Sequence, residues 1–323
     1  MGSDIQTPDR AGLTDLGREP VLRKKLQKIM ASVDHVVGYV PMHNARFRQL
    51  TLIIAMLALI VGGYFSFRAQ PDLFRQANMG PIVILVLFAV PLTIYFNALE
   101  FVLSARLIGH KIGLKAAAEI SIIGGVANML PLPGGVIVRV AALKAEGASV
   151  ARSTSVMAFV AFIWAAVSFG YSGAWLASGG AIGFGLLFIV LGCMGVIGCF
   201  ALSIQLLDDH VITAQLFACK AGLVLVDAFR LYLCLLALGV AADFGQASVL
   251  TVSGFVGSSF SLVPAGLGIR EGISALLGPL VGLTAAAAFL ASAANRIVGL
   301  MVSAPLAAFL AWKVGQQAKA GAA

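Results

Sequence analysis

The 323-residue chain is 60% hydrophobic and carries only 11% charged side chains, with a formal net charge of +8. Soluble domains carry about 25% charged residues, so a water-soluble globular fold is excluded. The positive excess does not read as nucleic-acid binding either: eight of the 22 basic residues fall between Arg10 and Arg48, ahead of the first apolar run, with no RNA or DNA motif around them. In a membrane protein such a cluster sets orientation and draws the segment toward anionic headgroups.

Residues 1–47 form a polar, basic N-terminal segment. Within it, 20–39 ("PVLRKKLQKIMASVDHVVGY") puts Leu22, Leu26, Ile29, Met30, Val33, Val36 and Val37 on one helical face, flanked by Arg23, Lys24, Lys25 and Lys28. This predicts a basic amphipathic helix, lying on the cytoplasmic leaflet or docked on the membrane domain or a partner. No cleavable signal is expected, because the first apolar run is of full spanning length. Gln6 stands where a myristoylation signal needs Ser or Thr.

Residues 48–313 read as one transmembrane domain, followed by a short tail, 314–323. Apolar windows at 49–67, 81–99, 153–171, 181–203 and 283–310 are each long enough to cross a core of roughly 30 Å. Continuous apolar runs, and not ten-residue alternation, exclude a β-barrel. The expected fold class is an all-α polytopic membrane protein with about six spanning helices plus two re-entrant hairpins arranged as an inverted-topology repeat.

The first hairpin is predicted from a mismatch. The stretch 116–130 holds about 15 apolar residues and ends in Pro-Leu-Pro-Gly-Gly, yet basic residues flank it on both sides: Arg106, Lys111 and Lys115 before, Lys144 and Arg152 after. A segment that dips in and returns keeps all of them cytoplasmic, and irregular backbone is tolerated at depth where protein or water buries it. A second short stretch, 246–278, enters from the other side by the span count.

The two hairpins share a heptapeptide. "PGGVIVR" (133–139) and "PAGLGIR" (264–270) are both Pro-x-Gly-x-x-x-Arg, and Gly109 pairs with Gly239 in the flanking sequence. The repeat halves run about 80–178 and 212–312, and transporters use such repeats to build a site near the midplane. Arginine at the centre of a membrane helix costs on the order of 2.5–3.5 kcal/mol. Two roles are therefore open to Arg139 and Arg270: binding a phosphate or carboxylate with help from a half-helix N-terminus, or locking each hairpin to an internal carboxylate.

Further candidates for the same substrate site are Asn128, Pro133, Gly135, Pro264, Gly266 and Gly268 at the breaks, and Glu100, Glu271 and Arg296 among the intramembrane charges. Asp227 and Arg230, at i and i+3, are expected to form an internal ion pair; Glu100 and Arg296, without a local partner, are expected to face the cavity. Glu119 begins the first hairpin, and His110 and His210 fall in loops. Cys193, Cys199, Cys219 and Cys234 read as small buried side chains. With no GxSxG, HExxH, Walker A or clustered His/Asp set, neither enzymatic activity nor a metal or other cofactor is expected.

"PLPGGVIVR" and "PAGLGIREG", set in two interrupted hairpins, resemble the lysylphosphatidylglycerol synthase-type transmembrane family, a flippase-like domain, over roughly residues 50–312. Gly135 and Arg139 match the family's first motif, while Val136 stands where the family typically has an acidic residue. The resemblance implies movement of a lipid between leaflets, without the soluble synthase domain that some members carry. The function expected is a lipid flippase or transporter of the inner (cytoplasmic) membrane, both termini cytoplasmic, acting on a phosphate-bearing phospho- or isoprenoid-type lipid. The alternatives are a non-transporting membrane partner of a lipid- or envelope-modifying enzyme, and a coupled transporter of a small soluble anion. Membrane lipids with anionic or zwitterionic headgroups are the expected partners.

Overall fold

A computed structural model describes residues 45–71, 73, 78–128, 134–206, 210–259 and 266–320. The expected amphipathic helix at 20–39, Pro133 and Pro264 lie outside these residues. The described chain is helical throughout: α1 (Ala45–Ala69), α2 (Met79–Leu107), α3 (Leu114–Ala127), α4 (Gly134–Ala145), α5 (Val150–Ser178), α6 (Ile182–Leu206), α7 (His210–Ala237), α8 (Phe244–Val249), α9 (Val252–Ser259), α10 (Ile269–Leu277) with a 3-10 turn at Gly278–Val281, and α11 (Ala285–Ala320).

Five of these helices, in α2, α5, α6, α7 and α11, are long and apolar enough to cross a membrane. Their outward faces carry large bare apolar side chains, such as Phe88 (67% exposed), Ile197 (69%) and Met301 (71%). In water so much contiguous apolar surface would drive association; in a bilayer it is the lipid contact. The expected span at 49–67 is also helical, as α1, whose Gly62 lies against the Phe289 ring of α11. α3 and α4, at 14 and 12 residues, are about 20 Å long at 1.5 Å per residue and fall short of the hydrocarbon thickness.

α2 and α7 run antiparallel through the middle of the molecule. The amide of Asn78, at the start of α2, donates to Ala237 O at the end of α7 (2.8 Å), and Cys219 Sγ, early in α7, donates to Phe96 O (3.3 Å). Two separate hydrophobic cores form at opposite ends of this pair. The first joins the second half of α2 (Ala98 to Leu107) and the beginning of α7 (Leu216, Cys219) to α3, α4 and the first half of α5. The second joins the beginning of α2 (Leu85, Ala89) and the end of α7 (Leu231 to Leu235) to α8, α9, α10 and the start of α11.

The turns repeat atom by atom. Ile108, Gly109 and His110 donate their amides to Ala105, Arg106 and Ala105; Leu238, Gly239 and Val240 donate to Leu235, Leu236 and Leu235, with Gly109 at φ 81° and Gly239 at φ 73°. On leaving the hairpins, Gly147 and Ala148 donate to Lys144 and Leu143, as Gly282 and Leu283 do to Pro279 and Gly278. Ser149 then caps α5 through Arg152 N, and Thr284 caps α11 through Ala287 N. Both of those glycines have positive φ, the backbone that glycine adopts without a Cβ penalty.

Within the hairpins the halves diverge. α4 starts at the second residue of "PGGVIVR", whereas α10 starts only at the sixth of "PAGLGIR", because Gly266 (φ 64°) and Gly268 (φ 79°) hold the chain out of the helix. α2 carries one irregularity, a π-helical stretch at Leu85–Ala89 just before Pro91, a residue that cannot donate to the ladder.

Candidate functional site

The first hairpin folds on two glycines. Asn128 at the end of α3 accepts the amide of Gly135 through Oδ1 (2.6 Å) and so satisfies one free N–H of α4. A Cβ on Gly134 would collide with the Ala127 carbonyl, and one on Gly135 would meet the Asn128 amide at 2.8 Å. That close turn aims Arg139, six residues into α4, at α2.

Arg139 Nη1 donates to Glu100 Oε1 at 2.6 Å, and Nη2 reaches Asn97 Oδ1 at 3.3 Å. The other carboxylate oxygen of Glu100 accepts from Lys220 Nζ of α7, also at 2.6 Å. Glu100 is 1% exposed, Lys220 6% and Arg139 17%. The Trp164 ring lies 5.1 Å from the ammonium and the Phe101 ring 5.7 Å from the guanidinium, distances at which a cation gains from a ring face. Glu100, expected to face a cavity alone, is thus held by two cations from separate elements. Lys220 was not among the sequence candidates, although a lone lysine ten residues into an apolar span is itself the signal.

The second hairpin presents its arginine differently. Arg270, the second residue of α10, uses Nη2 alone against both oxygens of Asp227, at 3.2 and 3.1 Å. The pair is 19% and 23% exposed. Asn295 Nδ2 of α11 donates to Asp227 Oδ1 at 3.1 Å. Arg230 does not take Asp227 as the i, i+3 spacing predicted: Nη1 donates to Thr93 Oγ1 of α2 and Nη2 to Asn295 O, both at 3.1 Å. The side chain turns toward α2 and α11, where Thr93 and Asn295 supply acceptors for its two terminal nitrogens, while Arg270 occupies Asp227.

Glu271 and Arg296 form a third pair at 3.3 Å, with Glu271 wholly buried. Glu271 Oε2 also accepts from Gly268 N (2.8 Å), and Arg296 Nη2 donates to Gly266 O (3.3 Å). Of the sequence candidates, then, Gly266, Gly268, Glu271 and Arg296 meet at the tip of the second hairpin and clamp it to α11. Asn128 and Gly135 shape the first tip, and Arg139 joins Glu100. Glu119 is half-buried on α3 and joins neither arginine network among the described residues. The four cysteines are free, three of them buried, and no group of His, Cys, Asp and Glu among the described residues could hold a metal ion.

The networks obey the repeat. Asn97 and Asp227 are 130 residues apart, the same offset as Gly109 and Gly239, and each contacts the arginine of its own hairpin. Glu100 and Arg230 share that offset with opposite charge. Three unforeseen glycines make room in the second half. A Cβ on Gly254 would lie 3.3 Å from Asp227 Oδ2, one on Gly257 2.8 Å from Arg270 Cβ, and one on Gly299 2.9 Å from Arg230 Nη2.

The family model of the lysylphosphatidylglycerol synthase TM region matches residues 49–307. The chain belongs to that family. The matched region of this lysylphosphatidylglycerol synthase TM-region protein contains both arginine networks and both hairpins, and it makes the chain a multi-pass membrane protein of that family. No curated protein matches the chain.

Proposed function

We propose that the chain is a lipid flippase or transporter, not an enzyme, which moves a phosphate-bearing lipid between the leaflets of the inner membrane. The observation that carries this reading is the placement of two arginine-bearing hairpins at opposite ends of the antiparallel α2–α7 pair, each arginine reaching the neighbouring spanning helix. Three full-length crossings (α2, α5 and α6) separate the start of α2 from the start of α7, an odd number, so the two halves enter the membrane from opposite faces. The short hairpin helices are then re-entrant, and the halves form the inverted-topology repeat on which alternating access is built.

Charge supports the same reading. Intramembrane ionisable groups are costly and mark pathways, and here they gather on the elements that the repeat duplicates. The family's link to lipid modification and flipping agrees with it.

The test is reconstitution of the pure protein in liposomes carrying a fluorescent phospholipid, with a quencher added outside. Faster loss of inner-leaflet fluorescence than in empty liposomes supports transport. No acceleration with any phosphate-bearing lipid would leave the chain as a membrane partner of a lipid-modifying enzyme.

A further inference from the structure

The two arginine networks differ in a way that their shared motif conceals. In the first, each oxygen of Glu100 meets one cation at 2.6 Å, and the carboxylate is sealed from the outside. In the second, one nitrogen of Arg270 faces both oxygens of Asp227 at 3.1–3.2 Å, and both partners keep about a fifth of their surface open. Arg270 Nε and Arg230 Nε are buried without a hydrogen-bond acceptor, and Asn295 Oδ1 without a donor. A buried polar group without a partner is destabilising, so this network is incomplete as it stands.

We propose that the Asp227–Arg230–Arg270–Asn295 network is an anion subsite for a phosphate group that carries no compensating cation, with Asp227 the internal occupant that the ligand displaces from Arg270. The proposal deepens the transport reading above and rests on it for the lipid context. A guanidinium fork prefers a two-pronged acceptor, and the end-on contact with Asp227 does not provide one. Among the described residues Arg230 donates to a hydroxyl and a carbonyl and to no carboxylate. Among the described residues, the second-half cluster holds three guanidiniums (Arg230, Arg270, Arg296) against two carboxylates (Asp227, Glu271), one positive charge more than negative. A phosphate anion cancels that excess. A zwitterionic headgroup brings no net charge and leaves it standing, and a cationic headgroup adds to it. Gly254, Gly257 and Gly299 line this cluster where any larger residue would press on Asp227, Arg270 or Arg230; the first network needs no such clearance around its arginine.

The experiment measures lipid retention by the full-length protein, purified in detergent, using native mass spectrometry. The probes are phosphatidic acid, phosphatidylglycerol and phosphatidylcholine at equal concentration, with inorganic phosphate as competitor. The two anionic lipids should be retained at least tenfold over phosphatidylcholine. Arg270→Gln and Arg230→Gln should each erase most of that preference, and Arg230→Lys should keep part of it should the Gln variant fold poorly. Asp227→Asn should raise anionic-lipid retention several-fold, since it removes the competitor; a purely structural ion pair predicts a loss instead. Displacement by millimolar phosphate supports a site that reads the phosphate alone, and its failure supports one that reads a lipid headgroup. Equal retention of phosphatidylcholine by the wild type, or reduced retention in Asp227→Asn, overturns the subsite. Because the readout is binding, a protein that shows the Asp227→Asn gain yet moves no lipid in liposomes refutes transport and keeps the subsite.

Discussion

Glu100 and Lys220 meet at 2.6 Å across the α2–α7 contact, although 120 residues separate them in the chain. The same carboxylate holds Arg139 of the first hairpin. One buried acid therefore ties three elements together, and two cations depend on it. Such an arrangement is a lock more than a binding surface, since a ligand could enter only by breaking one of two short charge-assisted bonds.

Glu100→Gln should consequently be among the most damaging single changes in the domain. It leaves buried Lys220 and half-buried Arg139 facing a neutral amide, and breaking a buried pair costs about 3–5 kcal/mol. Adding Lys220→Met to Glu100→Gln removes one orphaned charge and should recover part of the melting temperature. Thermal melts of the four proteins in the cycle decide it: if the double variant melts no higher than Glu100→Gln, the ion pair is not the source of the loss.

The glycine clearances predict a graded response. Gly299→Ala places a methyl 2.9 Å from a guanidinium nitrogen, the far end of a flexible side chain, and should lower transport more than stability. Gly257→Ala meets Arg270 at its Cβ (2.8 Å) and backbone (3.1 Å for Cα), so α10 itself must move, and both transport and melting temperature should fall. Gly125→Ala, with nothing within 4 Å of the added carbon, should be neutral or stabilising by up to about 1 kcal/mol, as for a helical glycine replaced by alanine. A uniform response in the three variants would contradict the steric account.

Much of this architecture is written plainly in the sequence. Continuous apolar runs mark the spans, and Pro-Gly breaks in stretches too short to cross mark α3–α4 and α8–α10. Gly109 and Gly239 stand at equivalent turns in the chain as in the alignment of the halves. The pairings are another matter. Local spacing assigns Asp227 to Arg230, but the competing acceptors on Thr93 and Asn295 come from helices distant in sequence, and no periodicity reports them. The heptapeptide likewise hides the asymmetry of its two copies, because identical spacing of Pro, Gly and Arg is compatible with a helix that starts at Gly134 in one and at Ile269 in the other.

The proposed opposite orientation of the halves is open to a direct measurement. Ser149 and Thr284 are equivalent, exposed caps that follow the two hairpins. With the four native cysteines replaced, Ser149→Cys and Thr284→Cys should each be labelled by a membrane-impermeant thiol reagent, the first from the cytoplasmic side and the second from the outside. Losing the cap costs about 1 kcal/mol, too little to unfold the domain. Labelling of both from one side would end the inverted-repeat reading.

The two motif arginines should respond differently to the same substitutions. Arg139 completes a sealed network, so Arg139→Gln strands Glu100 on Lys220 alone and should cut yield and melting temperature; Arg139→Lys keeps the charge and should lose less. Combining Arg139→Gln with Lys220→Met should make matters worse, because Glu100 then has no cation at all. Arg270 sits in a partly open and incompletely bonded network, where Asp227 retains Asn295 as a donor when the guanidinium is removed. Arg270→Gln should therefore keep its melting temperature within a few degrees and lose most transport. Arg270→Lys, which retains the charge without the planar fork, should fall between it and the wild type. Transport rates in liposomes beside thermal melts of the same preparations give the comparison. Equal loss of stability at both positions would make Arg270 a second lock, and equal loss of transport without loss of stability would make Arg139 a second ligand contact; either result removes the asymmetry argued from the geometry of Glu100 and Asp227.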